Sequence, residues 1–100
     1  MIYLTAESSI MIATKPVDFR KAIDSLSSLC DRDLGENPKS GKLFVFVNKE
    51  RTMIRVLVYE VNGFWLMTKR LSKGKFNWPS SRDEISVIEA SILRKLLSVK

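Results

Sequence analysis

Basic and aromatic residues occur together in the segment FWLMTKRLSKGKFNWP, Phe64 to Pro79. Its cations are Lys69, Arg70, Lys73 and Lys75. Side chains of this type contact phosphate groups, and an aromatic ring such as Trp78 or Phe76 can stack on a nucleic-acid base or support the loop. The pattern is typical of nucleic-acid-binding surfaces. A second interpretation is that the aromatic rings are core residues and that the cations only keep a basic protein soluble.

The distribution of charge also singles out the middle of the chain. The 100 residues include 17 Lys and Arg against 11 Asp and Glu, a formal net charge of +6. The segment from Lys39 to Lys75 contains nine of these cations, Arg55 among them, and only two of the acids. The positive excess therefore belongs to this segment, where a polyanion would bind.

Residues suited to catalysis or to metal binding are scarce. Histidine is absent, which removes the usual general base near neutral pH and the commonest metal ligand. Two pairs of neighbouring acids, Asp31 with Asp33 and Asp83 with Glu84, lie in polar stretches without apolar residues to shift a pKa. The sequence predicts a protein that is not an enzyme and uses no metal or cofactor.

Composition predicts one domain, spanning residues 1–100. Apolar residues make up 45% of the chain and charged residues 28%, as in soluble globular proteins. The single cysteine, Cys30, excludes an intrachain disulfide, and its place on an apolar helical stripe predicts a core position. No apolar run reaches the length of about 20 residues that spans a bilayer. We therefore expect a cytoplasmic protein with no membrane partner.

A strand and a helix are predicted in the first third of the chain. The apolar run Ser9–Ala13 has strand length, and apolar residues recur at helical spacing from Phe19 to Cys30. Asp18 is predicted to cap this helix. Arg20 and Lys21 then fall in its first turn, where they fit a phosphate site. The alternative is that Arg20 is exposed and relieved by Asp24, four residues later.

A three-stranded meander is predicted in the basic segment. Its strands are Leu43–Val47, covered on both faces, Thr52–Val61, and Phe64 to about Leu71, and Asn62-Gly63 favours a two-residue hairpin between the last two. A strand at Glu84–Val87 and a last helix follow. The predicted fold is α+β, with a mostly antiparallel sheet, a central three-stranded meander and two packed helices. One core is expected, containing Ile23, Leu26, Phe44, Phe46, Ile54, Val56, Leu66 and Leu93.

Four segments together resemble a known family. They are DFRKAIDSL (18–26), SGKLFVFV (40–47), IRVLVYEVNGFWL (54–66) and TKRLSKGKFNWP (68–79). In order and spacing they are similar to the accessory protein TnpB, the second open reading frame protein, of insertion sequence sixty-six type bacterial transposons. The resemblance extends from about residue 13 to residue 97. Ala22, Ser25 and Tyr59 depart from the residues usual in the family. The resemblance implies a protein encoded beside a separate transposase, needed for efficient transposition and without established chemistry of its own.

Two functions fit the sequence and this resemblance. In the first, the protein binds the DNA of the element ends through Lys69, Arg70, Lys73 and Lys75, aided by Arg20, Lys21, Arg55 and Trp78. In the second, the same basic, aromatic surface docks on an acidic patch of the transposase, or of a second small protein of the element, and contacts no DNA. The first function predicts that the cations at 69, 70, 73 and 75 form one edge of the domain, with Gly74 allowing a tight turn.

Overall fold

Five strands and two helices make up the described structure. The computed structural model describes residues 9–79, 85–88 and 90–97. In chain order the elements are β1 (Ile10–Ala13), α1 (Ile23–Arg32), β2 (Leu43–Val47), β3 (Met53–Glu60), β4 (Gly63–Arg70), β5 (Ile85–Ile88) and α2 (Ala90–Leu97). No helix among the described residues is long and apolar enough to cross a bilayer.

The strands form one mixed sheet in the order β4-β3-β2-β1-β5. Antiparallel pairing joins β2 to β3, β3 to β4 and β1 to β5, whereas β1 and β2 are parallel. A parallel pair needs a crossover between its strands, and here the crossover contains α1. The predicted α+β class with two helices is confirmed. The antiparallel description is correct only in part, because β1 pairs with β2 in parallel.

Helix α1 packs on one face of the sheet. Its buried residues Leu26 and Cys30 contact the inward rings of Phe44 and Phe46 and the side chain of Leu57. Ile23 and Leu66 are partly buried against this cluster. Burial raises the pKa of the Cys30 thiol to about 12, so the thiol stays protonated near neutral pH.

A second core lies on the opposite face of the sheet. There Leu93 of α2 packs with Ile54 and with Val45, whose strand sends alternate side chains to the two faces. Phe76 and Trp78 belong to this cluster, and Val56 packs against it. The prediction of a single core is therefore wrong, because its eight residues divide between clusters on opposite faces of the sheet.

Helix α1 begins later than predicted. Its N-cap is Ala22, which makes no side-chain capping bond, so Asp18 does not cap the helix. The Asp18 carboxylate instead accepts hydrogen bonds from the backbone N–H and the guanidinium of Arg20. Asp24 occupies the first helical turn, where a negative charge is favoured by the helix dipole.

The hairpin between β3 and β4 turns one residue earlier than predicted. Glu60 pairs with Gly63, so the two connecting residues are Val61 and Asn62. Val61 has a φ of 60°, and the N–H of Asn62 donates to the Glu60 carbonyl at 2.7 Å. With this register Tyr59 lies opposite Phe64, and the two rings pack edge to face with centroids 5.0 Å apart.

Candidate nucleic-acid interface

The turn between β2 and β3 is held by a buried asparagine. The Asn48 side-chain oxygen accepts hydrogen bonds from the N–H groups of Thr52 (2.9 Å) and Met53 (3.0 Å), and its amide donates to the Thr52 hydroxyl. Arg51 occupies the left-handed region with a φ of 61°. Lys49 and Arg51 are exposed at this turn, whose backbone is fixed by Asn48.

The segment after β4 is attached to the same turn at two points. The N–H of Leu71 donates to the Thr52 carbonyl at 2.9 Å, and the N–H of Phe76 donates to the Arg51 carbonyl at 2.7 Å. Between these points the chain forms an exposed loop in which Gly74 has a φ of +81°, a conformation that favours glycine. The loop therefore leaves and returns to the turn that carries Arg51.

These attachments bring five exposed cations to one end of the sheet. We call this group the basic end: Lys49, Arg51, Arg70, Lys73 and Lys75. Glu50 is the one acid within the two segments, residues 48–52 and 70–76, that form it. Sequence reasoning missed Lys49 and Arg51 as site residues. The signal was the hairpin itself, since pairing β3 with β4 places residues 48–52 beside the end of β4.

The predicted cationic edge does not form as one group. Lys69 and Arg70 are neighbours on a strand, so their side chains point to opposite faces of the sheet. The Lys69 ammonium donates to the carbonyl of Leu97 in α2 at 3.2 Å. Lys69 therefore separates from the other three cations, whose backbone positions remain at the basic end. Three of the four predicted cations therefore remain close together, and their contact with DNA stays a prediction.

The aromatic residues that follow the loop are buried and hold its end against the core. Phe76 is 1% exposed and Trp78 8% exposed, and the Trp78 indole N–H donates to the Ala13 carbonyl at 3.0 Å. Neither ring offers a free face to a base. Base stacking by Trp78 or Phe76 is thus contradicted, and the loop-supporting role is the one that this geometry fits.

Arg55 contacts the segment that contains Arg20 and Lys21 on the α1 face, and Arg20 and Arg55 share a groove with Lys49 of the basic end. The Arg55 guanidinium lies 4.8 Å from the centre of the Phe19 ring and donates to the Lys21 carbonyl at 2.8 Å. It also donates to the Thr68 hydroxyl at 3.2 Å. These contacts tie the segment before α1 to β3 and β4. Arg55 therefore has a structural role that its sequence position did not reveal.

Arg20 also forms an ion pair within the chain. Its guanidinium lies 2.6 Å from the Asp18 carboxylate and holds the pKa of that carboxyl at about 2, below its ordinary value. Both residues precede α1, so the predicted phosphate site in the first helical turn does not form. Asp18 and Arg20 line a groove of about 780 Å³ together with Lys49, Met53 and Arg55. With both carboxylates and cations in its lining, this groove is less suited to phosphate than the basic end.

The candidate acids that the structure describes, Asp31 and Asp33, lie at the end of α1 and not at the basic end. Both are exposed, and Asp83 and Glu84 lie outside the described residues. Among the residues that the structure describes, no three acidic or cysteine side chains lie close enough together to hold a metal ion. The chemistry available at the basic end is electrostatic attraction of an anion.

Comparisons with known proteins agree over most of the chain. The family model described as "IS66 Orf2 like protein" matches residues 8–99. The uncharacterized protein y4jC of Sinorhizobium fredii (strain NBRC 101917 / NGR234) is 39% identical over 74 residues, which are 74% of this chain and 63% of that protein. The uncharacterized protein y4hO of the same strain is 36% identical over 89 residues, which are 89% of this chain and 77% of that protein. No solved structure gives a significant match.

Proposed function

The chain belongs to the IS66 Orf2-like family, the accessory proteins of a class of insertion sequences, and from this premise we propose that it supports transposition by binding DNA through its basic end. The observation that carries the proposal is the convergence of Lys49, Arg51, Arg70, Lys73 and Lys75 on two adjoining segments. Cations grouped in this way neutralise neighbouring phosphates and release the counterions condensed on DNA.

The burial of the aromatic rings decides what kind of DNA contact the site can make. Because Phe76 and Trp78 are inside the protein, neither ring can serve as a stacking platform, and the lysines of the basic end are suited to contacts with the phosphate backbone. Phosphate contacts carry no sequence information directly. The proposed role is therefore to hold DNA without a strong preference for sequence.

Docking on an acidic patch of the transposase is the second candidate function. Exposed cations at the basic end fit that role as well, because charge complementarity guides protein association. Buried aromatics count against it, since the centres of protein interfaces are enriched in aromatic side chains and poor in lysine. We therefore place DNA first and test both partners in the same experiment.

A salt titration of DNA binding tests the proposal. Five phosphate contacts give a slope of about −4.5 in log K against log salt concentration on duplex DNA. The double variant Lys73→Ala, Lys75→Ala should fold normally, bind all sequences more weakly, and reduce the magnitude of that slope by up to about 1.8. The control is Lys39→Ala, Lys42→Ala, which removes the same formal charge away from the basic end, where Lys39 lies over the Tyr59 ring and Lys42 pairs with Glu36.

The control should retain nearly the full slope because its lysines lie away from the basic end. An equal loss in both double variants would show that only net charge matters and would contradict a site at the basic end. Binding that appears only when the transposase is added would replace the DNA function by docking on the transposase.

A further inference from the structure

Strand β4 is an edge of the sheet, and its outer side pairs with no other strand in the described chain. It is eight residues long, from Gly63 to Arg70, and contains no proline. Natural edge strands are usually blocked by short length, proline, a bulge or charged side chains, especially lysine, because an open edge recruits other strands. In β4 the charges are confined to the last two residues, Lys69 and Arg70. The first six residues of β4 contain no charge at all.

The register of the hairpin identifies the backbone groups on this open edge. The N–H of Leu71 bonds to the Thr52 carbonyl of the neighbouring chain segment, so residue 71 faces inward. Inward and outward positions alternate along an antiparallel strand. The outward N–H and C=O groups are therefore those of Phe64, Leu66, Thr68 and Arg70.

Two large apolar side chains are exposed beside these groups. Trp65 is 49% exposed and Met67 is 39% exposed, both on the face of β4 that α2 covers only in part. Met67 also lines an apolar groove of about 250 Å³ with Leu93 and Leu97 of α2. An open edge with exposed apolar residues is a surface for β-sheet extension.

We propose that β4 pairs antiparallel with β4 of a second copy of this chain, about a twofold axis that passes beside Met67. Position 67 is the midpoint of the four outward residues 64, 66, 68 and 70, so this register lets all four make backbone hydrogen bonds to the second copy. The two sheets would then form one continuous ten-stranded sheet. Such an interface is isologous and closed, as in most homodimers.

When two copies of β4 pair antiparallel, the side chains of one strand complement those of the other. In this register Trp65 lies opposite Lys69 of the second copy, and Phe64 lies opposite Arg70 of the second copy. Both pairs place a cation beside an aromatic ring, which is an attractive arrangement. The two Lys69 residues are separated by about 13 Å along the strands, further than the Debye length of about 8 Å at physiological salt. Self-pairing thus brings each cation to a ring and keeps like charges apart.

An acidic strand from another protein is the competing occupant. It would also satisfy the outward backbone groups, and it would have to supply the acids that β4 lacks. The second copy is favoured because β4 alone contains both members of each cation–aromatic pair. The proposal shares Arg70 with the basic end, but its test residue Met67 lies outside that group, so Met67→Lys can disrupt the dimer without removing a basic-end cation.

Measurement of mass by analytical ultracentrifugation tests the proposal first. The protein should form a dimer as its concentration rises from the micromolar to the millimolar range. Met67→Lys places two like charges opposite each other at the axis and should raise the dissociation constant about tenfold or more. The matched control is Val61→Lys, which adds the same charge at an exposed hairpin position and should leave the dissociation constant nearly unchanged.

Cysteine crosslinking tests the register. Residues 67 of the two copies form a non-hydrogen-bonded pair with Cα atoms about 4.5 Å apart, within the range that a disulfide spans. Met67→Cys should therefore form a disulfide-linked dimer under mild oxidation, while Val61→Cys, about 40 Å from its counterpart, should not. The native Cys30 is buried and does not compete.

Three results would overturn the proposal. They are a protein that remains monomeric at millimolar concentration, a dimer whose dissociation constant Met67→Lys leaves unchanged, and equal crosslinking of the two cysteine variants. A monomer that binds a synthetic acidic β-strand peptide, with binding lost in Met67→Lys, would assign the edge to a foreign strand.

Discussion

The hairpin residue Val61 provides a direct test of the register of β3 and β4. Its φ of 60° lies in the left-handed region, which costs a residue with a Cβ about 1–2 kcal/mol and is least suited to a branched side chain. The side chain is 90% exposed, so its replacement removes no buried contact. The strain therefore determines the effect of a substitution.

Asparagine at this position should stabilise the protein. Its short polar side chain tolerates the left-handed conformation, so Val61→Asn should raise the free energy of unfolding by about 1 kcal/mol. For a domain of this size the midpoint Tm should rise by about 4–8 °C. Val61→Gly relieves the same strain but loses about 0.5–1 kcal/mol to the entropy of the unfolded chain, so its gain should be smaller.

Val61→Ala is the matched control, because it retains the Cβ atom and with it most of the strain. The four proteins are compared by thermal unfolding followed by circular dichroism and by urea unfolding at a constant m value. If Val61→Asn is no more stable than Val61→Ala, the turn does not hold residue 61 in the left-handed region. The pairing of Glu60 with Gly63 would then be wrong.

Three further predictions concern the two cores and the charged segment before α1. Leu26→Ala and Leu93→Ala should each lower the free energy of unfolding by about 2–5 kcal/mol, because each leaves a cavity. Their effects should add within about 0.5 kcal/mol, because the two side chains lie in separate clusters. Strong coupling in urea unfolding of the double variant would contradict the division of the core. Trp78→Phe should cost about 1–3 kcal/mol because it leaves the Ala13 carbonyl without its donor, and an unchanged urea midpoint would show that this bond contributes nothing. The Asp18 carboxyl should titrate in NMR spectra near pH 2, and Arg20→Ala should return its pKa toward the ordinary value near 4. Since the folded-state pKa is the lower one, the pair stabilises the protein fully above the unfolded-state pKa and loses this contribution as the pH falls from about 4 toward 2.

The sequence predicted the elements whose local pattern is strong and missed those that depend on distant partners. The run LFVFV predicted β2 with its observed bounds because five apolar residues in succession fit a strand covered on both faces. The parallel pairing of β1 with β2 has no local signal, since it depends on the crossover through α1. The start of α1 was misplaced because Asp18 binds Arg20, a choice that a capping pattern does not reveal.

The candidate site was predicted by composition and corrected by topology. The excess of positive charge in residues 39–75 indicated the correct segment, and the hairpin then selected which cations lie together. Alternation along β4 removed Lys69 from the group, although the period of a strand already implied it. The burial of Trp78 was one of two interpretations of the sequence, which could not decide between them because the hydrogen-bond acceptor of the ring, the carbonyl of Ala13, lies 65 residues earlier in the chain.

The division of the core by a single sheet restricts which insertions and deletions the gene can tolerate. Strand β2 sends Phe44 and Phe46 to one core and Leu43, Val45 and Val47 to the other. One codon added between Leu43 and Phe44 would exchange the faces of the residues that follow and direct two phenylalanine rings into space shaped for valine. The loop between α1 and β2, residues 33–42, has exposed positions where an added residue disturbs neither core. Length variation among relatives should therefore accumulate in that loop and avoid β2.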